Sequence, residues 1–405
     1  MGILIFIFAA VLFWRRISKT DRKTSLILLF SLVGYIAFSL ILNTYLEYQL
    51  GWEYGVPGAD LSIHFEGAQA IKNGASLSEL ANVNIRFEPR FSNIGYIAYA
   101  YFLYLVSFAP TIFSIRFSLQ IMYTVQCMAA ICAALNIAEF FAPSPDERKK
   151  RNSILAMLLL CVAVSQMAVV LMRDIWVFFF ISLLMKYCTS EMPAKWKCIA
   201  VILVTTMLRS YSLIITIPIF VAYGLKRKKL SVIISGVFLA VFFAGQFLID
   251  WLAGFMHILW EYSYSFDLMS IVEYILFPNI MTQTANVQHL AHGYHEIFGG
   301  NTEWIYYLLA CWNVYTFPIM AYGGLCCIKK RRFSDIALWG LMILNIAMLY
   351  AVFYSGMSEP RHKLMLIYAL VFFFGEGFSK ITFIKKVMYI LGITLILLML
   401  LIFIK

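Results

Sequence analysis

Long apolar runs follow one another along this chain, separated by polar breaks of two kinds. One kind is brief and basic, at residues 15–23, 148–151, 195–197, 226–229, 329–332 and 380–386. The other is mixed in charge: long at 45–116 and 251–303, short at Arg173-Asp174 and at 356–363. Roughly 20 apolar residues cross a bilayer core, so the runs predict transmembrane helices. The positive-inside rule puts the basic breaks in the cytoplasm and the mixed ones outside. Both assignments hold together if the chain makes about twelve crossings, as an all-α polytopic bundle. Residues 2–14 have neither the basic start nor the small-residue cleavage site of a signal peptide, and they read as a retained first span. Residues 175–187 and 364–378 are short for a crossing, which points to local thinning or to a site sunk below the outer surface. Residues 198–223 have basic flanks and are interrupted by Arg209 and Ser210, so two short helices in a hairpin are expected there instead of one span.

The first outer break is about seventy residues long, too long for a simple connector. After the turn signal Pro57-Gly58, residues 60–72 predict an amphipathic helix ending at Asn73-Gly74. Leu61, Phe65 and Ala68 share its apolar face, with Asp60 and His64 one turn apart on another, as on a helix lying along the membrane surface. Glu66 lies well around the cylinder from Asp60. Residues 93–108 are apolar and aromatic, but a full crossing there would turn 148–151 outside, so an interfacial or partly inserted helix is expected.

Composition agrees with the pattern. The 405 residues are 62% hydrophobic and 13% charged, far from the balance of a soluble domain. The formal net charge of +11 sits in the short connectors and on no continuous surface, which excludes nucleic acid as the partner and leaves membrane lipid. The eight cysteines lie in or beside apolar runs and read as small core residues. No short-period repeat, low-complexity tract or linker divides the chain, so residues 1–405 are taken as one membrane domain with outer loops 45–116 and 251–303.

Ionisable groups at membrane depth cost about 2.5 to 3.5 kcal/mol each on insertion scales, so each one asks for a reason. Asp60 has two readings, a helix cap after a glycine turn or a functional carboxylate. Arg173 and Asp174 are either an exposed turn or part of a site. Arg361 is either an interfacial anchor or a ligand for an anion. Arg209, in the middle of an apolar stretch, is the hardest to explain structurally. His289, His292 and His295, followed by Glu296, recur every three residues, and on a helix only neighbouring pairs could share a metal; a polar lid is the other reading. No nucleotide-binding glycine loop, nucleophile elbow or zinc signature is present.

Taken together, the first-loop helix from Asp60 to Gly74, the segment Glu88-Pro89-Arg90-Phe91 with Tyr96, Tyr99 and Tyr101, and Met172-Arg173-Asp174, Leu208-Arg209-Ser210 and Glu359-Pro360-Arg361-His362 resemble the GT-C superfamily of integral membrane glycosyltransferases. The resemblance is a pattern over most of the chain. Asp60 lacks the neighbouring acid with which that family commonly pairs its first-loop carboxylate. What the resemblance implies is transfer of a sugar from a polyprenyl phosphate-linked donor to a lipid-linked or cell-envelope glycan acceptor, at the extracytoplasmic side of a plasma (inner) membrane. Asp60 would be the base, and Asp174 a second acid that orients the acceptor or holds a divalent cation, so the metal question stays open. Arg209, Arg361 and His362 would take the donor phosphate, because a guanidinium fork matches phosphate oxygens. Arg173, His64 and Glu66 complete the substrate-binding set. Two other functions compete: a polysaccharide repeat-unit polymerase leaning on Arg209 and Arg361, and a lipid-linked glycan flippase or transporter, disfavoured by the lack of paired halves.

Overall fold

A computed structural model describes residues 1–50, 62–76, 79–80, 91–108, 114–190, 194–256, 303–353 and 360–403. These residues are helical throughout, with no strand among them. The helices are α1 (Gly2–Ile17), α2 (Arg22–Leu50), α3 (Ser62–Lys72), α4 (Phe91–Ser107), α5 (Ile115–Phe141), α6 (Arg148–Leu159), α7 (Val162–Ala168), α8 (Asp174–Cys188), α9 (Lys195–Leu208), α10 (Leu213–Ile219), α11 (Lys228–Met256), α12 (Glu303–Lys329), α13 (Phe333–Phe353), α14 (Pro360–Phe378) and α15 (Phe383–Phe403). All six basic clusters fall at helix ends or in the turns between helices. Among the described residues two helices are long and apolar enough to cross a membrane, Arg22–Thr44 and Ile115–Phe141, or up to three if the bent pair Pro145–Leu159 and Val162–Ala168 is one span. Ile94–Ser107, Ser210–Gly224, Phe333–Leu349 and Leu364–Phe378 are apolar but shorter.

The described residues fall into two compact units. The first is drawn mainly from Met1–Ile137 and Leu158–Thr216. Its two long apolar helices differ in surroundings: the window in α5 is 94% buried and that in α2 only 22%. The α5 helix is therefore a central post, while α2 keeps most of its apolar surface for lipid. Against α5 pack Phe65 and Ala68 of α3, Tyr99, Leu103 and Val106 of α4, and Leu171 from the turn before α8. The α3 helix closes at Gly74, whose φ of 91° is the left-handed cap conformation that glycine adopts without strain. This helix is docked on α4, with His64 buried together with Phe65 and Ala68. The expected polar placement of His64 on a surface helix thus gives way to burial, because the imidazole packs against Tyr96 and Tyr99 at centroid distances of 5.4 and 4.8 Å. Glu66 is exposed.

The second unit includes Ala138–Met157, Ile217–Leu290 and Trp304–Lys405 in its span. Its core is aromatic. Fully buried Trp339 of α13 lies 5.1 Å from Phe141 and 5.9 Å from Phe372, ring centre to ring centre. The α12 and α14 helices cross backbone to backbone, since a Cβ at Gly323 would strike the carbonyl of Phe373 and one at Gly377 that of Ile319. The α11 and α13 helices are joined by Asn345 Nδ2, which donates to the Ser235 carbonyl at 2.9 Å.

Candidate functional site

The first unit brings two of the expected residues into direct contact. Asp174 opens α8 and Arg209 follows the last residue of α9. Arg209 Nε donates to Asp174 Oδ1 at 3.2 Å and its Nη2 to Oδ2 at 3.1 Å, a fork on a carboxylate. Their side chains are 11% and 3% exposed. Buried charges of this kind persist only when paired, because separation in a low dielectric costs several kcal/mol. At the far end of the same two helices the buried thiols of Cys188 and Cys198 lie close together, so α8 and α9 run antiparallel.

Local sequence explains why the chain can break here. Arg209 is extended, yet its amide donates to the Thr205 carbonyl at 2.9 Å and its carbonyl accepts from the Ser212 amide at 3.0 Å. The interruption therefore leaves neither of its own backbone groups unsatisfied, as a non-helical segment buried in a membrane protein requires. Two short helices on either side of Arg209 are what the charge pattern of 198–223 called for. Asp174, in the first turn of α8, places its negative charge at the positive end of that helix.

The approach to Asp174 is held by residues outside the expected set. Between α7 and α8 the backbone leaves helix, and Gln126 of α5 donates from Nε2 to the carbonyls of Ala168 at 3.2 Å and Val170 at 2.7 Å. Its Oε1 accepts from the Tyr99 hydroxyl at 2.9 Å, and Tyr99 in turn carries His64 on its ring edge. A polar line thus runs from α3 through α4 and α5 to the turn that presents Arg173 and Asp174, both 2% exposed. The readings of Arg173 and Asp174 as an exposed turn are corrected by that burial. Gly95 sets the position of the other partner: a Cβ there would strike the Met207 carbonyl and come within 2.7 Å of the Leu208 Cα, immediately before Arg209. Gln126 was visible in the sequence as an amide inside an apolar helix, and Gly95 as a glycine inside an aromatic one; neither carries chemistry by type, so neither stood out.

Not every expected site residue can be placed. Asp60 and the histidines 289, 292 and 295 with Glu296 lie outside the described residues. Arg361 and His362 occupy the first turn of α14, and their side chains lie outside the described residues. Among the described residues no group of three or more His, Cys, Asp or Glu could hold a metal ion. A cation at Asp174 would have to displace the guanidinium that already faces both carboxylate oxygens. No family model, no curated protein and no solved structure matches the chain.

Proposed function

We propose that this protein is a membrane glycosyltransferase in which the Asp174–Arg209 pair is the resting form of the site. The reading rests on one observation, the buried fork between a guanidinium and a carboxylate at the broken ends of two short antiparallel helices. The chain would cross the plasma membrane about twelve times, with this pair on the extracytoplasmic side. The 15 residues of α8 rise about 22 Å against a hydrocarbon core of about 30 Å, so the pair would sit below the outer surface, within reach of a lipid-borne substrate.

A polyprenyl phosphate-linked sugar brings an anion that, like the carboxylate, can offer two oxygens to a guanidinium fork. Its phosphate takes Arg209, keeping that buried charge balanced, and releases Asp174. A carboxylate that loses its counter-ion binds a proton more tightly and can serve as general base. The acceptor hydroxyl gives its proton to Asp174, its oxygen bonds to the anomeric carbon, and the bond from that carbon to the phosphate oxygen breaks. The electron pair leaves with the polyprenyl phosphate, held by Arg209. Asp60, if it reaches the same place, would share the base role.

The test is made in membranes of a host that displays the glycan. Deletion of the chain should leave surface glycan lacking a sugar, with wild type restoring it and Asp174→Asn or Arg209→Ala failing to do so at matched protein level. Loss of long glycan chains with single repeat units intact would favour the polymerase. Complete lipid-linked glycan trapped at the cytoplasmic leaflet would favour the flippase. Full restoration by Asp174→Asn would overturn a role for this pair.

A further inference from the structure

A cavity of about 470 Å³ lies in the first unit between α1, α2 and α5. That is within the range of about 300 to 1,000 Å³ over which proteins hold small apolar ligands. Its walls are almost wholly apolar and include Ile3 and Ile7 of α1, Ile36 of α2 and Phe117 of α5. Ile3, Ile7 and Phe117 are exposed, so the cavity opens on the outside of the helices. Val33 and Leu40, which flank Ile36 on the same face of α2, are exposed as well, so the opening gives onto the apolar surface that α2 keeps for lipid. Two polar side chains line the cavity, Gln120 and Thr124. The Thr124 hydroxyl is spent on the Gln120 carbonyl at 2.8 Å. Asn43 Nδ2 donates to Ser39 Oγ at 3.2 Å, and the Ser39 hydroxyl donates to Gln120 Oε1 at 3.4 Å. These bonds engage the oxygen end of the Gln120 amide and leave its Nε2, which is buried and makes no hydrogen bond.

Depth along the helices tells what could meet that donor. Arg116, at the start of α5, pairs with Glu47 near the end of α2. Gln120 follows Arg116 by one helical turn, about 6 Å along the axis, and Ile36 precedes Glu47 by about 16 Å. The polar zone on each side of the hydrocarbon core is roughly 5 to 7 Å thick. With the ion pair among the headgroups, Gln120 falls where the esters of a glycerolipid join its chains, and the apolar walls continue below it. No bulk water reaches that depth to serve the amide. A plain hydrocarbon would fill the walls and leave Nε2 unmade, and a free phosphate would have no use for the walls. An acyl ester uses both, with a carbonyl acceptor at one end and an apolar chain beyond it. We propose that the cavity holds one acyl chain of a bilayer glycerophospholipid, whose ester carbonyl accepts from Gln120 Nε2. The cavity shares no lining residue with the Asp174–Arg209 pair, and its occupancy does not depend on what that pair does.

The full-length protein is purified in mild detergent and titrated with phosphatidylglycerol in two forms of equal chain length, the ordinary diester and its diether analogue, with bound lipid counted by native mass spectrometry. The two share charge and chains and differ only in the carbonyls. The diester should be retained about fivefold more tightly, the worth of one neutral hydrogen bond, and Gln120→Leu should bring it down to the diether level. Ile7→Trp, which fills the cavity, should weaken both lipids and leave their ratio as it was. The same ratio should appear with phosphatidylcholine, since the headgroup takes no part. Equal retention of diester and diether by the wild type, or an unchanged preference in Gln120→Leu, would overturn the assignment. So would a polyprenyl phosphate, which has no ester carbonyl, if it displaced the diester lipid and lost that advantage in Gln120→Leu. Should Gln120→Leu not purify as a folded protein, Gln120→Met keeps the length of the side chain, removes the donor and gives the same reading.

Discussion

Two carboxylates are buried in this chain to nearly the same extent, and they are treated in opposite ways. Glu376 is held by three cations from α6 and from the turn between α12 and α13. Asp174 is held by the two-bond fork of Arg209. Pulling one cation from Glu376 leaves others in place, and no ligand could replace all of them together. An anion that displaces Asp174 takes over the same guanidinium fork. Several cations on one carboxylate make an anchor, and a guanidinium fork makes a contact that another anion can take over. That contrast, more than burial itself, separates the part of the molecule suited to hold structure from the part suited to chemistry.

The largest effect should come from the anchor. Glu376→Gln leaves Lys150, 10% exposed, with only the longer contact to Glu147 at 3.7 Å, and should lower unfolding stability by about 3 kcal/mol, read from denaturant titration in detergent. Transfer activity per folded molecule should stay near wild type; a selective loss of activity would erase the distinction between the two sites. Arg209→Lys keeps the charge and loses the fork, so transfer should fall by roughly 10² while stability changes far less. A variant as active as wild type would show that the fork is only structural. Gln126→Leu strands the carbonyls of Ala168 and Val170 and the Tyr99 hydroxyl, with an expected cost of about 2 kcal/mol and a parallel drop in activity as Asp174 loses its placement. Stability without any change in transfer would disconnect the polar line from the site.

The smallest effect belongs to an exposed carboxylate that serves neither purpose. Glu79 accepts from the Ser76 amide at 2.7 Å and from its hydroxyl at 3.0 Å, and returns its own amide to the Ser76 oxygen at 3.3 Å. The Ser76 backbone N–H, then the hydroxyl, pull its pKa below the ordinary 4.5. A depressed carboxylate stabilises above its unfolded pKa and loses that contribution as pH falls through the folded value, below about pH 4.5. Pepsin nicking near residue 79 should therefore rise as pH drops through this window, and Ser76→Ala should flatten the change.

The sequence made charges legible where they interrupt apolar runs. Arg209 and Asp174 stood out for that reason, and the break after Leu208 followed from the basic flanks of 198–223. Their direct pairing was not legible, because the two residues are 35 positions apart and a pattern of charges gives no distances. The Glu376 cluster was hidden in another way: Lys150, Lys330 and Arg332 read as ordinary cytoplasmic connectors, and one acid near the end of an apolar run gave no sign that it would gather them. His64 was misplaced because its polarity was weighed without the aromatic ring edges that α4 offers. Gln126 and Gly95 act through geometry alone, carrying a turn and admitting a neighbouring backbone, which residue type does not announce.

Reversing the charges of the central pair tests the exchange account most directly. Asp174→Arg combined with Arg209→Asp preserves an ion pair of the same kind while moving the guanidinium to α8 and the carboxylate to the end of α9. If the pair is a resting site, each single change should impair folding or insertion, and the double change should recover much of the folded protein while transfer stays at least 10²-fold below wild type. Recovery of transfer together with stability would contradict the account, since it would mean that the pair only holds the two helices together.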